Sequence, residues 1–190
     1  MLALAVPTDP RWIEAVMADF DAFLVDHAAA ERKASATGMA FVVRYPDRPV
    51  LLEPMIAFAR EELEHFHRVY RLLAERGLAL AADEPDPYVR PMLGLVRGGR
   101  DPRLLDRLLV AGIVEARGCE RFGLVAEALP AGELKDFYVE ITRSEARHHG
   151  LFTRLARELF DADDVASRLS ELLAAEADIV GGLPLRAALH

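Results

Sequence analysis

Ala59-Arg-Glu-Glu62-Leu-Glu-His65-Phe66 and Ser144-Glu145-Ala-Arg-His148-His149 each set a Glu and a His three residues apart. On an α-helix this spacing puts both side chains on one face, about one turn apart. Steps of three and four outward from the first pair give Leu51, Met55, Phe58, Glu62, His65, Val69 and Leu72. The second pair extends to Leu134, Tyr138, Ile141, Glu145, His148, Phe152 and Leu155. Two further stripes have the same period: Phe20, Leu24, His27, Glu31, Ala34, Gly38, Phe41, and Leu104, Leu108, Ala111, Glu115, Gly118, Phe122, Val125. Each stripe is the mostly apolar face of a core-facing helix, and a Glu interrupts each one near its middle.

Breaker residues divide these helices. Asp9-Pro10 reads as an N-cap followed by Pro at the first helical position, opening a helix to about Arg44. Tyr45-Pro46-Asp47-Arg48-Pro49 is a turn, and the second helix runs to Arg76, where Gly77 is a natural stop. Residues from about 77 to 101 hold Pro85, Pro87, Pro91, Gly94, Gly98 and Gly99 and form a long connection. Asp101-Pro102 opens the third helix, running to about Leu129. Pro130 opens the fourth, to about Phe160, and a shorter fifth helix spans Asp164 to Ile179. The expected fold is therefore all-α: a ferritin-like four-helix bundle with one long crossover and a short C-terminal helix, in a single domain over 1–190.

Four carboxylates on inward faces are costly unless something compensates them. A buried, unpaired carboxylate costs several kcal/mol, and four at one level repel each other as well. Two divalent cations would balance four carboxylate charges. A Glu from each of two helices with Glu-x-x-His from each of the other two is a ligand set for a pair of iron or manganese ions. The spacing agrees. Glu31 to Glu62 is 31 residues and Glu115 to Glu145 is 30, while Glu31 to Glu115 is 84 and Glu62 to Glu145 is 83. Two helix pairs related by a pseudo-twofold axis produce that repeat. Glu64 and His67 share the Glu-x-x-His spacing but lie about 200° around the helix, on the solvent side with Glu61. His149 is likewise off its stripe. His27 is read as a core histidine or one that supports Glu31, Tyr138 and Cys119 as packing, and the small Ala34, Ala111, Gly112 and Gly118 as room for O2 or a substrate.

Composition narrows the function classes. The chain has 190 residues, one Cys, 23 Lys+Arg and 31 Asp+Glu, for a formal charge of −8. A single Cys excludes a disulfide framework and any zinc or iron–sulfur site built on cysteines. No apolar run reaches membrane-spanning length, and the stretch from Met1 to Val6 lacks the charge and length of a signal peptide, so a cytoplasmic location is expected. No Gly-rich nucleotide fingerprint is present.

Around the candidate ligands, His27-Ala-Ala-Ala-Glu31-Arg-Lys-Ala34, Glu115-Ala-Arg-Gly-Cys-Glu-Arg-Phe122 and the two opening segments resemble the bacterial tRNA hydroxylase family MiaE. The likeness covers nearly the whole chain, including the Tyr45-Pro46-Asp47 turn. It implies a ferritin-like non-haem di-iron monooxygenase in which Glu31, Glu62, His65, Glu115, Glu145 and His148 hold two iron ions. The implied reaction is O2-dependent hydroxylation of the isopentenyl group of 2-methylthio-N6-isopentenyladenosine in tRNA. The partners would be tRNA, O2 and an external electron donor of the ferredoxin or flavodoxin type, with no membrane. Ferritin-like iron oxidation or storage, or another di-metal activity of peroxidase or catalase type, is the alternative that the ligands leave open.

An acidic protein can hold RNA only through a local basic field. Arginines cluster at Arg90, Arg97, Arg100, Arg103 and Arg107, and again at Arg143, Arg147, Arg154 and Arg157. The first group, with Arg97, Arg100 and Arg103 as its centre, is the expected tRNA contact. It lies on a Gly-rich crossover from Tyr88 to Arg103 that would act as a lid.

Overall fold

A computed structural model of the protein describes residues 4–82 and 84–190. Met1, Leu2 and Ala3, part of the stretch tested for a signal peptide, and Asp83 in the crossover lie outside the described residues. The described residues form seven α-helices and no strand. They are α1 (Arg11–Ala18), α2 (Phe20–Arg44), α3 (Pro49–Glu75), α4 (Val89–Gly94), α5 (Arg100–Ala128), α6 (Glu133–Leu159) and α7 (Ala162–Gly181). Among the described residues no helix is long and apolar enough to cross a membrane.

The chain divides into two compact units. One comprises Glu14–Glu84 with Arg186–Leu189, and its body is the α2/α3 hairpin. Tyr45 and Arg48 close the turn by backbone bonds to Phe41 and Tyr45. Pro54 lies inside α3 but only five residues from its start, where a missing N–H removes a single ladder bond. Gly77, at φ 70°, ends the hairpin with Leu78 N–H bonded to Leu73 O, the 6→1 closure that favours glycine. Within this hairpin Gly38 is required. A Cβ there would lie 2.8 Å from Phe58 Cδ1 and 3.1 Å from Met55 O.

The other unit comprises the described residues up to Ile13, Pro85–Leu185 and His190. Its body is the α5/α6 hairpin, against which α4 and α7 pack. Asp161 caps α7 by accepting from Asp163 and Asp164 N–H. A buried ionic network ties this unit together. Arg117, fully buried in α5, donates through Nε and Nη2 to Glu176 of α7 at 2.9 and 3.0 Å, and Tyr88 OH donates to the same carboxylate. Arg117 also bonds Glu120, which accepts from Thr8.

Four features differ from the sequence reading. The first helix is broken. Asp19 leaves the helical conformation and caps α2 by accepting from Ala22 N–H. The crossover is not free loop, because Tyr88 and Met92 are fully buried and frame the short helix α4. The C-terminal helix is 20 residues, longer than expected. The N-cap of α5 is Gly99 at φ 83°, two residues earlier than the Asp101-Pro102 signature suggested.

Candidate metal centre

All six expected ligands are buried. In the first unit, Glu31 on α2 faces Glu62 and His65 on α3. Their ligand atoms lie within 4.8 Å of one another. His65 Nδ1 stands 3.6 Å from Glu31 Oε2 and 3.4 Å from Glu62 Oε2. His27, one turn before Glu31 and fully buried, holds Glu31 Oε1 through Nε2 at 2.6 Å. Burial raises the Glu31 carboxyl, but hydrogen bonds to His27 and His65 outweigh it and hold the pKa well below the usual carboxylate range. Burial pulls the His65 imidazole down, while its bonds to Glu31 and Glu62 push it up to about 9. A divalent ion satisfies the same charges.

The second unit repeats the arrangement. Glu115 on α5 faces Glu145 and His148 on α6, with ligand atoms again within 4.8 Å. His148 Nδ1 stands 3.4 Å from Glu115 Oε2 and 3.9 Å from Glu145 Oε2. Glu115 Oε2 is buried and makes no hydrogen bond, a state that costs about 1–3 kcal/mol or more for a charged group. Gly118 borders Glu145, and a Cβ added there would sit 3.9 Å from Glu145 Oε2. Each unit thus offers two carboxylates and one imidazole. That donor set fits a hard or borderline divalent ion such as iron or manganese, and its buried, charge-unbalanced oxygens fit a cation better than water.

Other expectations fare differently. Glu64 and His67 are exposed as read, while Glu61 is only half-exposed. His149, placed off its stripe, is buried instead, and burial holds its imidazole pKa down. It lies beside the α5 contact, where Gly112 approaches His149 O. Ala34 and Ala111 are half-buried, and Gly112 and Gly118 buried. Tyr138 is fully buried edge-on to Phe137.

Of the three arginines expected at the RNA, Arg97 has a side chain that is 47% exposed, with its guanidinium held by a neighbouring carboxylate. Its Nε and Nη2 donate to buried Asp106, which also accepts from Arg168. Burial raises the Asp106 carboxyl, but these two guanidinia outweigh it and lower its pKa. Arg100 and Arg103 are exposed at the start of α5. The buried ionic network of Arg117 and Glu176 and the Asp106 pair were invisible in the sequence, where mid-helix Arg and Asp read as surface.

Comparison with known proteins matches this geometry. The family model described as tRNA-(MS[2]IO[6]A)-hydroxylase (MiaE) matches residues 2–190. A Pseudomonas putida protein named tRNA 2-(methylsulfanyl)-N(6)-isopentenyladenosine(37) hydroxylase is 36% identical over 177 residues, 93% of this chain and 86% of its own. A Salmonella typhimurium protein of the same name is 33% identical over 130 residues, 68% of this chain and 47% of its own. Among solved structures, "Protein 43 with aldehyde deformylating oxygenase activity from Synechococcus" superposes with a TM-score of 0.92 at 37% identity, covering 100% of this chain and 96% of that one. The fold is the all-helical, ferritin-like one, and the chain belongs to the MiaE family of tRNA hydroxylases.

Proposed function

We propose that the protein is a di-iron monooxygenase that hydroxylates the isopentenyl group of 2-methylthio-N6-isopentenyladenosine in tRNA, using O2 and electrons from a separate ferredoxin- or flavodoxin-type donor. The observation that carries this reading is the duplicated buried set in a chain of this family: Glu31 with Glu62-x-x-His65, and Glu115 with Glu145-x-x-His148. Each set would hold divalent metal through its two carboxylates and its one imidazole. A reduced iron pair, when bound, would supply the O2 activation that hydroxylating a C–H bond needs.

The chain's own residues do the rest. His27 fixes the orientation of Glu31 by a buried hydrogen bond, so that carboxylate enters the centre already aimed. Gly118 keeps the space beside Glu145 clear. The apolar neighbours Phe122, Ile141 and Phe152 exclude water, which favours oxidation of substrate over loss of the oxidant to solvent. The decisive test is modified-nucleoside analysis of tRNA from a strain deleted for this gene, before and after complementation. The hydroxylated nucleoside should disappear and return, and its persistence in the deletion strain would refute the reading.

A second reading rests on the structural relative whose title names aldehyde deformylating oxygenase activity. A medium-chain aldehyde would then yield an alkane and formate. Purified iron-loaded protein given a fatty aldehyde and a reducing system distinguishes the two by gas chromatography.

A further inference from the structure

The exposed residues of α6 follow a second stripe. Arg143, Arg147, Gly150, Arg154 and Arg157 advance by steps of four, three, four and three, and all five are exposed. At about 100° per residue they fall within a strip roughly 80° wide. Glu145 and His148 lie on the opposite side of the same helix. From Arg143 to Arg157 the strip runs about 21 Å at 1.5 Å per residue. Four guanidinia on one ridge are unusual in a chain of formal charge −8. The acids nearest along the helix sit at its margins. Asp136 and Glu140 precede the strip, and Glu158 lies 3.6 Å from Arg154 in a solvent-exposed pair that contributes little. Arg147 donates to Arg143 O and Ser144 Oγ. Gly150 has open space where a Cβ would be, so a ligand backbone can approach the helix midway along the ridge.

The crossover is a poorer candidate. Arg97 is committed to Asp106, and the cleft of about 330 Å³ beside it is also lined by Asp101, Asp164 and Glu171. That setting repels a polyanion. The α5/α6 register sets Glu115 level with His148 and Gly112 level with Phe152. Continued, it brings the Arg157 end of the ridge towards the start of α5, where Arg100 and Arg103 are exposed.

We propose that the Arg143–Arg147–Arg154–Arg157 ridge of α6 is the docking surface for the phosphate backbone of the tRNA, a role that rests on the hydroxylase reading above. Charge complementarity with a polyanion carries it, and phosphate contacts of this kind orient the RNA without reading its sequence. Binding of the full-length, iron-loaded protein to tRNA from a hydroxylase-deficient strain, followed by fluorescence anisotropy across a salt series, tests it. The double variant R143A/R147A should bind roughly tenfold more weakly at moderate salt, and the slope of log K against log salt should fall by about one per arginine removed. Iron content and melting temperature should match the parent. R143K/R147K, which keeps the charges, should retain most of the slope. Unchanged binding in the alanine variant, or equal loss in the lysine variant, overturns the ridge. If the parent hydroxylates tRNA while the ridge variants bind normally, only the docking surface is wrong. If the parent neither binds nor modifies tRNA, the hydroxylase reading fails first.

Discussion

The two hairpins carry the same three ligands at the same spacing but do not prepare them equally. In α2/α3, Glu31 is held by buried His27 at 2.6 Å. Eighty-four residues on, the position matching His27 is Ala111, and Glu115 Oε2 makes no hydrogen bond. The α2/α3 half is therefore preorganised by its own side chains. The α5/α6 half lacks that supporting histidine, although each half keeps one carboxylate oxygen without a hydrogen bond, Glu62 Oε1 and Glu115 Oε2. One sequence repeat thus carries a half-site held by its own histidine and a more adaptable one.

The strongest way to break this comparison is to delete a ligand from either half. Glu62→Ala and Glu145→Ala should each lose metal and hydroxylation together. Metal per chain, measured by emission spectroscopy, should fall well below the parent's, and activity below detection. Removing the metal by chelation leaves four buried carboxylates without a counter-charge, so the metal-free protein should melt below the loaded one at pH 7. Full iron occupancy in both variants would remove these residues from the centre.

His27 sharpens the comparison. Loss of a hydrogen bond supporting a metal ligand typically costs 10–100-fold in metal affinity. His27→Leu should weaken binding of the first divalent ion by about that factor in a Mn²⁺ or Co²⁺ titration. His27→Gln, able to donate the same bond, should recover part of it. Ala111→Ser at the matching position of α5 should change affinity by less than the His27 variants do. Equal effects at 27 and 111 would mean that the halves are not differently organised.

How much of this could be read in advance follows from which signals are periodic. The ligands were legible because they sit on apolar stripes with a 3.6-residue period and recur at offsets of 84 and 83. Gly77 and the Tyr45–Pro49 turn were legible because backbone geometry demands those residues. Asp19 was missed because an Asp two residues before another polar position looks like ordinary helix surface until its side chain is seen capping Ala22. Arg117 and Asp106 were missed because full burial of a charge depends on a partner far along the chain, Glu176 or Arg168, that no local pattern announces. His149 was misplaced by one residue of phase, because α5 packs closely enough at Gly112 to widen the buried face of α6. Composition showed the arginines of the crossover but not that Arg97, whose side chain is 47% exposed, pairs with the buried Asp106.

The glycines extend the comparison to packing. At Gly38 α3 leaves no room for a side chain on α2, so Gly38→Ala forces Phe58 and the Met55 carbonyl away and should cost about 1–3 kcal/mol in denaturant unfolding.

The smallest effect is expected at Gly118. A Cβ there meets only Phe122 Cε2 at 3.8 Å and Glu145 Oε2 at 3.9 Å, both ordinary contacts. Alanine also favours the helix over glycine by about 0.5–1 kcal/mol. Gly118→Ala should therefore leave stability unchanged or raise it slightly, and retain metal. Gly118→Leu should keep the fold but crowd the Glu145 carboxylate, lowering hydroxylation more than iron content. If Gly118→Ala were as destabilising as Gly38→Ala, the space beside Glu145 would be packing that the α5/α6 hairpin needs, and the adaptable half-site would not exist.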